Sequence, residues 1–456
     1  MILANQINPC YFLIKWTNYQ KSKTGCKMVI NRDIYLNRLI KRKNNGLIKI
    51  ITGVRRCGKS YLLFNLFYDH LIKSGVPEEN IIAIPLDDYD YAEYSDPHKL
   101  YEYIKGRVND SKQNYYVFID EAQYAISKEE MKNPDVPIRL YGMLNGLLRK
   151  KNVDVYVTGS NSKFLSADIM TEFRGRGDEI HIAPLSFSEF YPASGKDKQG
   201  AWQEYLYYGG LPHILEEPDE ESKSSYLERL NKEIYLRDII ERYGIRDEAG
   251  MEELMKLLAS AIGSLTNAQK VSDTFNSKGN KGISMPTISS YLTYLQESFI
   301  IQKAERYDIK GRKYIGTPSK YYYTDLGLRN ALLNFRQYEE THLMENAIYN
   351  ELIYRGYNVD VGVVETRVAE NGKNTRKQLE VDFVLNRGSE RYYIQSAFAL
   401  PTQEKIDQEV ASLIRIPDSF KKIVVVNGTM PLWRNEQGIT FMGLYDFFLN
   451  DNSLNM

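Results

Sequence analysis

The sequence predicts an α/β fold built on a parallel sheet, and three observations predict it. An apolar, β-branched run at 47–52 leads into a glycine-rich turn, and residues 61–67 continue with apolar side chains at helical spacing. A second apolar run, 115–119, ends in two neighbouring acids. Further strand-like runs alternate with helical patterns, as in βαβ units, at 81–86 and 153–158. Polar residues at the carboxyl ends of such strands are expected to meet at one edge of the sheet.

The chain before the first strand divides into two parts. Residues 1–27 show no clear periodicity and are expected to form a loosely ordered extension, which translation from an upstream start codon would explain. Residues 31–43 predict a basic amphipathic helix packed on the domain of the parallel sheet, with its charges on a solvated face. The charged positions of that helix include Arg32, Arg38, Lys41, Arg42 and Lys43.

The glycine-rich turn is a complete phosphate-binding motif. Residues 53–60 read Gly-Val-Arg-Arg-Cys-Gly-Lys-Ser and fit G-x-x-x-x-G-K-[ST]. Its glycines permit backbone turns that side chains would block, so that N–H groups can surround an anion. Lys59 would place positive charge on the β- and γ-phosphates, and the Ser60 hydroxyl would ligate Mg²⁺. The predicted nucleotide-binding residues are Gly53, Arg55, Arg56, Cys57, Gly58, Lys59, Ser60 and Tyr61.

The second apolar run ends in a pair of acids suited to the same chemistry. Asp120 would hold Mg²⁺ through its water shell, and Glu121 would polarise the attacking water. A strand that ends in acids is a weak signal alone, since many strands do so. Downstream of a full phosphate loop it becomes a strong one. The expected cofactors are therefore ATP and Mg²⁺, with Ser60 and Asp120 as the metal ligands.

Two later segments offer further catalytic groups. After the strand at 153–158, Ser160 or Asn161 would sense the γ-phosphate or position the water, unless both only cap a helix starting at Lys163. Arg174 or Arg176 would stabilise transition-state charge in its own chain or in a neighbouring copy. Arg176 is the preferred residue, and a solvent-exposed or loop-bracing role is the alternative. The predicted catalytic residues are Glu121, Lys59, Arg176 and Asn161.

Together these motifs resemble a known family. The segments that carry the resemblance are 53–63, 119–123, 158–161, 174–176 and 184–190. The chain resembles the prokaryotic AAA-superfamily ATPases of the AAA_14 type that carry a C-terminal DUF4143 domain. The resemblance implies an ASCE-class ATPase core, a P-loop NTPase with an additional strand between the strand of the lysine loop and that of the Asp-Glu pair. Its motifs are specific for ATP binding and poorly specific for biological role.

The resemblance and the patterns together predict five regions. After the N-terminal extension come a P-loop AAA-like core at 28–190, a helical lid at 191–250, a winged helix at 251–333 and a degenerate PD-(D/E)XK nuclease-like domain at 334–456. The winged helix would either contact DNA through its third helix or serve only in protein packing, and both readings stay open. The residues expected on the exposed face of that helix are Thr287, Ser289, Ser290 and Tyr294.

The C-terminal region has the element order of a PD-(D/E)XK core, which the resemblance implies. In such a site Glu345, Asp382 and a third acid would hold Mg²⁺, and a lysine two residues beyond the third acid would polarise the water. Here Gln395 replaces that acid and Ala397 replaces that lysine. The sequence therefore predicts that nuclease activity is absent and that the fold serves for contact with nucleic acid or protein.

Composition bounds the partners. Lys plus Arg equals Asp plus Glu at 59 each, so net charge does not favour an obligate nucleic-acid partner. The three cysteines have no metal-ligand spacing and no run is long enough to span a membrane, which favours a reducing cytoplasm and no membrane partner. The function predicted is an ATP-hydrolysing switch. An ATP-gated nuclease and a non-catalytic module stabilised by nucleotide are the alternatives, and DNA contact, a protein partner and an oligomeric state stay open.

Overall fold

The computed structural model describes residues 29–133, 135–159, 175–277, 283–370 and 373–456. Within these ranges the chain forms two β-sheets, with a group of helices between them in sequence. The predicted extension and three predicted site residues lie outside the described residues, namely 1–27, Ser160, Asn161 and Arg174.

The first sheet is entirely parallel and follows the order β2-β3-β4-β1-β5. Its strands are β1 Ile48–Thr52, β2 Ile81–Pro85, β3 Tyr115–Asp120, β4 Val153–Thr158 and β5 Gly177–His181. β4 lies between β1, which leads into the phosphate loop, and β3, which ends in the acids. This order confirms the additional central strand that the resemblance implied, and it brings the carboxyl ends of β1, β3 and β4 together.

Helices cover both faces of this sheet. They are α1 Asp33–Arg42, α2 formed by Lys59–Tyr61, Leu62–Phe67 and Tyr68–Lys73 in succession, α3 Pro97–Arg107, α4 Lys128–Lys132 and α5 Arg139–Leu148. Alternate strand residues face opposite ways, as the two-residue period of a strand requires. Ile51 packs with α1 and α2, whereas Ile50 packs with α3 and α5. Every residue of β1, β3 and β4 is buried, which explains their continuous apolar runs.

A helical region follows the core. Its helices are α6 Phe187–Ser194, α7 Lys198–Tyr208, α8 formed by Glu220–Arg229, Leu230–Leu236 and Arg237–Tyr243 in succession, α9 Glu248–Ser260, α10 Ala268–Ser277 and α11 Met285–Glu297. Ser284 caps α11, as its sequence position predicts, by accepting a hydrogen bond from the Thr287 N–H at 3.4 Å. None of the helices in the described ranges is long and apolar enough to cross a membrane.

The second sheet has the order β12-β13-β11-β10-β9-β8-β6-β7. Its strands are β6 Ile301–Asp308, β7 Lys313–Tyr323, β8 Asn358–Glu370, β9 Lys373–Arg387, β10 Glu390–Ala397, β11 Lys421–Val426, β12 Trp433–Arg434 and β13 Thr440–Gly443. The helices around it are α12 Leu326–Leu332, α13 Glu340–Tyr354, α14 Gln403–Ile414 and α15 Leu444–Leu449. α13 is followed by the antiparallel meander β8-β9-β10, then by α14 and by β11 parallel to β10.

The winged helix predicted at 251–333 is not confirmed, because its elements are not separate from the second sheet. The helices α9 to α11 and the hairpin β6-β7 are present, but β6 also pairs in parallel with β8, with Arg306 opposite Val361. The hairpin is therefore the edge of the C-terminal sheet, and the predicted boundary at 333/334 falls between strands of that sheet. Sequence periodicity could not show this pairing, since β6 and β8 are brought together only by tertiary structure.

The third helix of this region is only partly available for contact with a partner. In α11, Ser289 and Ser290 are exposed, as predicted, and Thr287 is half-buried. The expectation that Tyr294 is exposed is wrong, because its ring stacks on that of Tyr243 in α8 with centroids 3.9 Å apart. The Tyr294 ring is therefore used in packing between α8 and α11 and does not face outward.

Candidate nucleotide-binding site

The phosphate loop requires glycine at its first position. Gly53 has φ 146°, and a Cβ there would lie 2.2 Å from the carbonyl oxygen of Ile182. Gly58, which precedes α2, has φ 99°. Both angles are ones that side chains disfavour, so the spacing of the glycines reflects backbone geometry. Arg56 also adopts a positive φ of 64° in the loop.

Lys59 is buried at the centre of this loop. Its side chain is the first of α2, and the residue is 4% exposed. The ammonium donates to the carbonyl oxygens of Gly53 and Val54, each at 3.1 Å. No carboxylate in the described part of the chain forms an ion pair with it. A buried ammonium bound only to carbonyl dipoles is electrostatically incomplete, and an anion would complete it.

Asp120 presents the opposite charge at the end of β3. The residue is 5% exposed, and its carboxylate accepts hydrogen bonds from the hydroxyls of Thr158 and Ser60. Burial, followed by the nearby charge of Glu121, raises the pKa of Asp120 to about 6. Within the described ranges no lysine, arginine or histidine pairs with this carboxylate. Asp120 and Ser60 are therefore brought together as predicted.

Glu121 follows in an unusual backbone conformation. It has φ 49°, and its N–H donates to the Thr158 hydroxyl at 3.1 Å. The side-chain amide of Gln123 donates to Glu121 Oε2. Asp87, which follows β2, is close enough that the charge of Glu121 contributes, after burial, to raising the pKa of Asp87. Carboxylates from neighbouring strands thus gather at one edge of the sheet.

Thr158 is a site residue that the sequence analysis did not assign. It is the last residue of β4 and is fully buried. Its hydroxyl donates to Asp120 and accepts from the Glu121 N–H, so that it holds both acids. The available signal was a hydroxyl at the end of the strand between β1 and β3, where a side chain can reach both neighbours.

These residues fit a nucleoside triphosphate with its magnesium ion. The hydroxyl of Ser60 and the carboxylate of Asp120 are oxygen donors of the kind that Mg²⁺ prefers. Lys59 is a buried cation without an acid, and Asp120 is a buried acid without a cation. A ligand that carries both phosphate charge and a divalent cation would satisfy both groups.

The other side chains of the loop contact helix α8, which lies in the region predicted to be a lid. Arg55 forms an ion pair with Asp238 at 3.2 Å, and its carbonyl accepts from the Tyr235 hydroxyl at 2.8 Å. The Arg56 guanidinium lies 6.0 Å from the ring centroid of Tyr226. Contacts of these loop residues with phosphate stay a prediction.

Cys57 lies within the loop, and Tyr61 directly follows it. Cys57 is buried, and its thiol is free. The half-buried Tyr61 side chain hydrogen-bonds to the backbone of Ile30, and burial raises the pKa of Tyr61. Neither side chain is free in solvent, so the predicted contribution of both residues to nucleotide binding would come from the backbone.

Arg32 is not on a solvated face, so the expectation for this residue is wrong. It is 2% exposed and donates to the carbonyl oxygens of Cys57 at 2.9 Å and Ala183 at 2.7 Å. It also forms an ion pair with Glu189 at 3.1 Å. Glu189 accepts a hydrogen bond from the Tyr354 hydroxyl at 3.0 Å. Arg32 therefore connects the phosphate loop with α6 and, through Glu189, with α13.

Arg176 lies at the opposite edge of the sheet from the phosphate loop. It is exposed, and its carbonyl accepts from the Ile48 N–H at 3.0 Å, beside the amino end of β1. Because β5 is parallel to β1 and strands rise roughly 3.3 Å per residue, Arg176 stands more than about 13 Å from the loop. This position places the residue away from the phosphate loop of its own chain, and its role, in this chain or in a neighbouring copy, stays a prediction.

The predicted remnant of a nuclease site is a buried ionic cluster. Glu345 and Asp382 are brought together, and burial, then the charge of Glu345, raises the pKa of Asp382 to about 8. Gln395 Oε1 accepts from the Asp382 N–H at 3.4 Å, and Ala397 is buried in an apolar cluster. A lysine from β7, Lys320, lies among these acids.

Comparison with known families matches two regions of the chain. Residues 45–191 match the AAA domain, and residues 199–339 match a domain of unknown function, DUF8612. The AAA match agrees with the family that the motifs indicated. The expected DUF4143 domain is wrong, because the motifs behind that expectation lie before residue 199 and carry no information on the later region.

Two relatives match along most of their length. An uncharacterised protein of Haemophilus influenzae is 33% identical over 404 residues, covering 88% of this chain and 94% of that protein. The uncharacterised protein MJ1544 of Methanocaldococcus jannaschii is 29% identical over 393 residues, 83% of this chain and 79% of that protein. The solved Walker-type ATPase Paby2304 of Pyrococcus abyssi is 15% identical with a TM-score of 0.47, covering 67% of this chain and 96% of that one. A similarity of that size adds nothing to what the strand order shows.

Proposed function

Because this chain belongs to one family with the Haemophilus influenzae protein and its residues 45–191 match the AAA domain, we propose that it binds and hydrolyses ATP with Mg²⁺. One observation carries the proposal. Lys59 and Asp120 are buried at the same sheet edge with opposite charges, and neither has an ionic partner in the described part of the chain. Burying such groups unpaired is unfavourable unless a ligand completes them.

Each residue at this edge has a distinct role in the proposed reaction. Lys59 and the loop N–H groups bind and orient the phosphates, and Ser60 and Asp120 would hold the metal. When bound, Mg²⁺ would neutralise phosphate charge. Glu121 accepts a proton from the attacking water. Its orientation is supported by the hydrogen bond from Gln123.

Two predicted catalytic groups complete the proposal. Asn161 or Ser160 would contact the γ-phosphate from the segment after β4. Arg176 would act on the nucleotide of a neighbouring copy, since the phosphate loop of its own chain lies at the opposite end of the strands. The proposal therefore includes an oligomer in which the amino edge of one sheet faces the phosphate loop of the next.

The loop is connected to the rest of the molecule in two directions. Tyr235 and Asp238 of α8 contact Arg55, and Arg32 contacts both Cys57 and Glu189. A change of loop conformation on binding or hydrolysis would therefore alter contacts with both the lid and α13. These contacts support an ATP-dependent switch that acts on the lid and the C-terminal sheet.

Glu121→Gln tests the proposal directly. The variant keeps the side-chain volume and removes the proton acceptor, so ATP binding is retained while turnover falls by about 10²- to 10⁴-fold. Glu129→Gln, an exposed acid on α4, is the matched control and keeps full turnover. Undiminished hydrolysis by Glu121→Gln contradicts the assignment. Absence of turnover in the wild type, with or without added nucleic acid or protein, would leave only a nucleotide-stabilised module.

Contact with DNA is a separate part of the proposal. The exposed positions Ser289 and Ser290 of α11 bring no phosphate-binding charge, and the Ser290 hydroxyl already donates to the Pro286 carbonyl oxygen at 3.1 Å. The test is ATP hydrolysis with single- or double-stranded DNA at low and moderate salt. Stimulation that fades with salt supports DNA contact, and unchanged hydrolysis under all conditions opposes it.

A further inference from the structure

A single lysine occupies the centre of the acidic cluster in the C-terminal sheet. Lys320 of β7 is 3% exposed, and its ammonium lies 2.8 Å from Glu345 Oε1 of α13 and 2.7 Å from Glu380 Oε1 of β9. The Tyr322 hydroxyl donates to the same oxygen of Glu345 at 2.6 Å. The ammonium thus bridges carboxylates from two different elements, which is the arrangement a divalent cation usually makes.

The third acid of the cluster is held by the backbone. Asp382 is 7% exposed, and its Oδ2 accepts from the Ser396 N–H at 2.8 Å. Glu345 and Glu380 pair with the ammonium, and the charge of Lys320 also acts on nearby Asp382, where it opposes the effect of burial on the Asp382 pKa. Such a group of carboxylates needs positive charge close by, because buried charges must be compensated.

The neighbouring strand β10 has neither an acid nor a lysine at the two positions where a metal-dependent nuclease would need them. Gln395 contributes a neutral amide, and Ala397 is 2% exposed among apolar side chains. No group of His, Cys, Asp and Glu in the described ranges has the arrangement of a metal site. Among the residues that the structure describes, the charged group that pairs with Glu345 is Lys320 of β7.

We propose that Lys320 is an internal counter-ion that takes the place of a divalent cation at Glu345, Glu380 and Asp382. The cluster is then a metal-independent ionic connection between the β6-β7 hairpin and the α13-β9 part of the sheet. Its removal would leave a set of oxygen ligands with a vacancy the size of an ammonium group. Lys320→Ala would therefore convert the cluster into a divalent-cation site.

The experiment measures Mn²⁺ binding and thermal stability of the full chain. The background variant is Asp120→Asn, which removes the proposed metal ligand of the nucleotide site. With Lys320 present we expect no stoichiometric Mn²⁺ binding. Lys320→Ala in that background lowers Tm by at least about 5 °C, binds one Mn²⁺ and regains most of the lost Tm on binding. Adding Asp382→Asn abolishes the binding and the recovery.

Three results would overturn this proposal. The first is one Mn²⁺ bound at the cluster while Lys320 is present, as judged by its loss in Asp382→Asn. The second is a folded Lys320→Ala that binds no Mn²⁺. Where Lys320→Ala does not fold, Lys320→Met keeps the side-chain volume, and both variants are refolded with Mn²⁺. Failure of Mn²⁺ to restore folding to either variant is the third.

Discussion

Lys59 and Lys320 are two of the buried lysines in the described part of this protein, and they are satisfied in different ways. Lys320 binds two carboxylates directly, at 2.8 and 2.7 Å. In the described part of the chain Lys59 donates to backbone carbonyls and forms no ion pair, while Asp120 accepts from hydroxyls. Lys320 is paired with carboxylates without a ligand, and Lys59 is not. The difference indicates that residue type alone does not identify a ligand site; the missing ionic partner does.

Replacing each of the two lysines by alanine is expected to give the largest effects, and these effects differ between the two sites. Lys59→Ala lowers ATP hydrolysis by at least about 100-fold, because it removes the charge that binds the phosphates. It has little effect on unfolding, since no ion pair is lost. Lys320→Ala keeps ATP hydrolysis and lowers the free energy of unfolding by about 3–5 kcal/mol, because it leaves carboxylates buried and unpaired. Hydrolysis rates and thermal unfolding measure the two effects.

Lys73→Ala is the control for this pair. Lys73 is an exposed residue at the end of α2 and is expected to change neither quantity. The comparison fails if Lys59→Ala destabilises the chain as strongly as Lys320→Ala, or if the loss of Lys320 stops hydrolysis in a folded protein.

Asp120→Asn sharpens the comparison through pH. The pKa of Asp120 is about 6 in the folded state against an ordinary 3.8, so this carboxyl binds its proton more tightly when folded. Its contribution to stability is therefore most favourable below pH 4 and becomes unfavourable as the pH rises from about 4 to about 6. The difference corresponds to about 3 kcal/mol. Asp120→Asn is expected to be more stable than the wild type at pH 8 by up to that amount, and unable to hydrolyse ATP.

The measurement is chemical unfolding of both proteins between pH 4 and pH 8. The difference between their stabilities isolates Asp120, since every other titrating group is shared. A difference that does not change over this range would show that the carboxylate is already paired with a cation.

Gly53→Ala tests whether the loop geometry is required. The added Cβ would meet the Ile182 carbonyl at 2.2 Å, so the loop must shift. We expect a loss of about 1–3 kcal/mol of stability and at least tenfold weaker ATP binding. Gly142→Ala is the matched control in α5, where nothing lies within 4 Å of the new Cβ, and it is expected to gain about 0.5–1 kcal/mol. Equal behaviour of the two variants would contradict the close approach at Gly53.

Asp238→Asn has the smallest expected effect. Asp238 forms a partly exposed ion pair with Arg55 and a second ion pair with Arg242 in α8. The loss of the Arg55 pair is expected to cost less than about 1 kcal/mol of stability. A change in the rate of ATP hydrolysis without a change in ATP affinity would show that the contact between loop and lid serves the reaction cycle. Unchanged hydrolysis and affinity would make the contact structural only.

The parts of this molecule that the sequence predicts well are contiguous in the chain. The strand, loop and helix around Lys59 are read from adjacent residues, and the acids after β3 need only a strand period. The resemblance then implied the place of β4 between β1 and β3, and the strand order confirms it. Ser60 and Asp120 were paired correctly because the carboxyl ends of parallel strands meet.

The parts that were missed depend on distant partners. Arg32 was assigned to a solvated face, yet it bonds to Ala183, which is 151 positions further along the chain. The spacing of charges within one helix carries no information on such a partner. The pairing of β6 with β8 and the insertion of Lys320 among acids of α13 and β9 have the same origin. The position of Arg176 was deducible, because a parallel β5 places its first residues away from the loop.

The central claim is that Lys59 and Asp120 are the two halves of one ATP-magnesium site. The most direct test is calorimetric titration of ATP with Mg²⁺ into the wild type, Lys59→Ala and Lys73→Ala. We expect Lys59→Ala to bind ATP with Mg²⁺ at least about 100-fold more weakly than the wild type, whereas Lys73→Ala binds it equally well. Equal affinity of all three proteins, or no binding by the wild type, would contradict it.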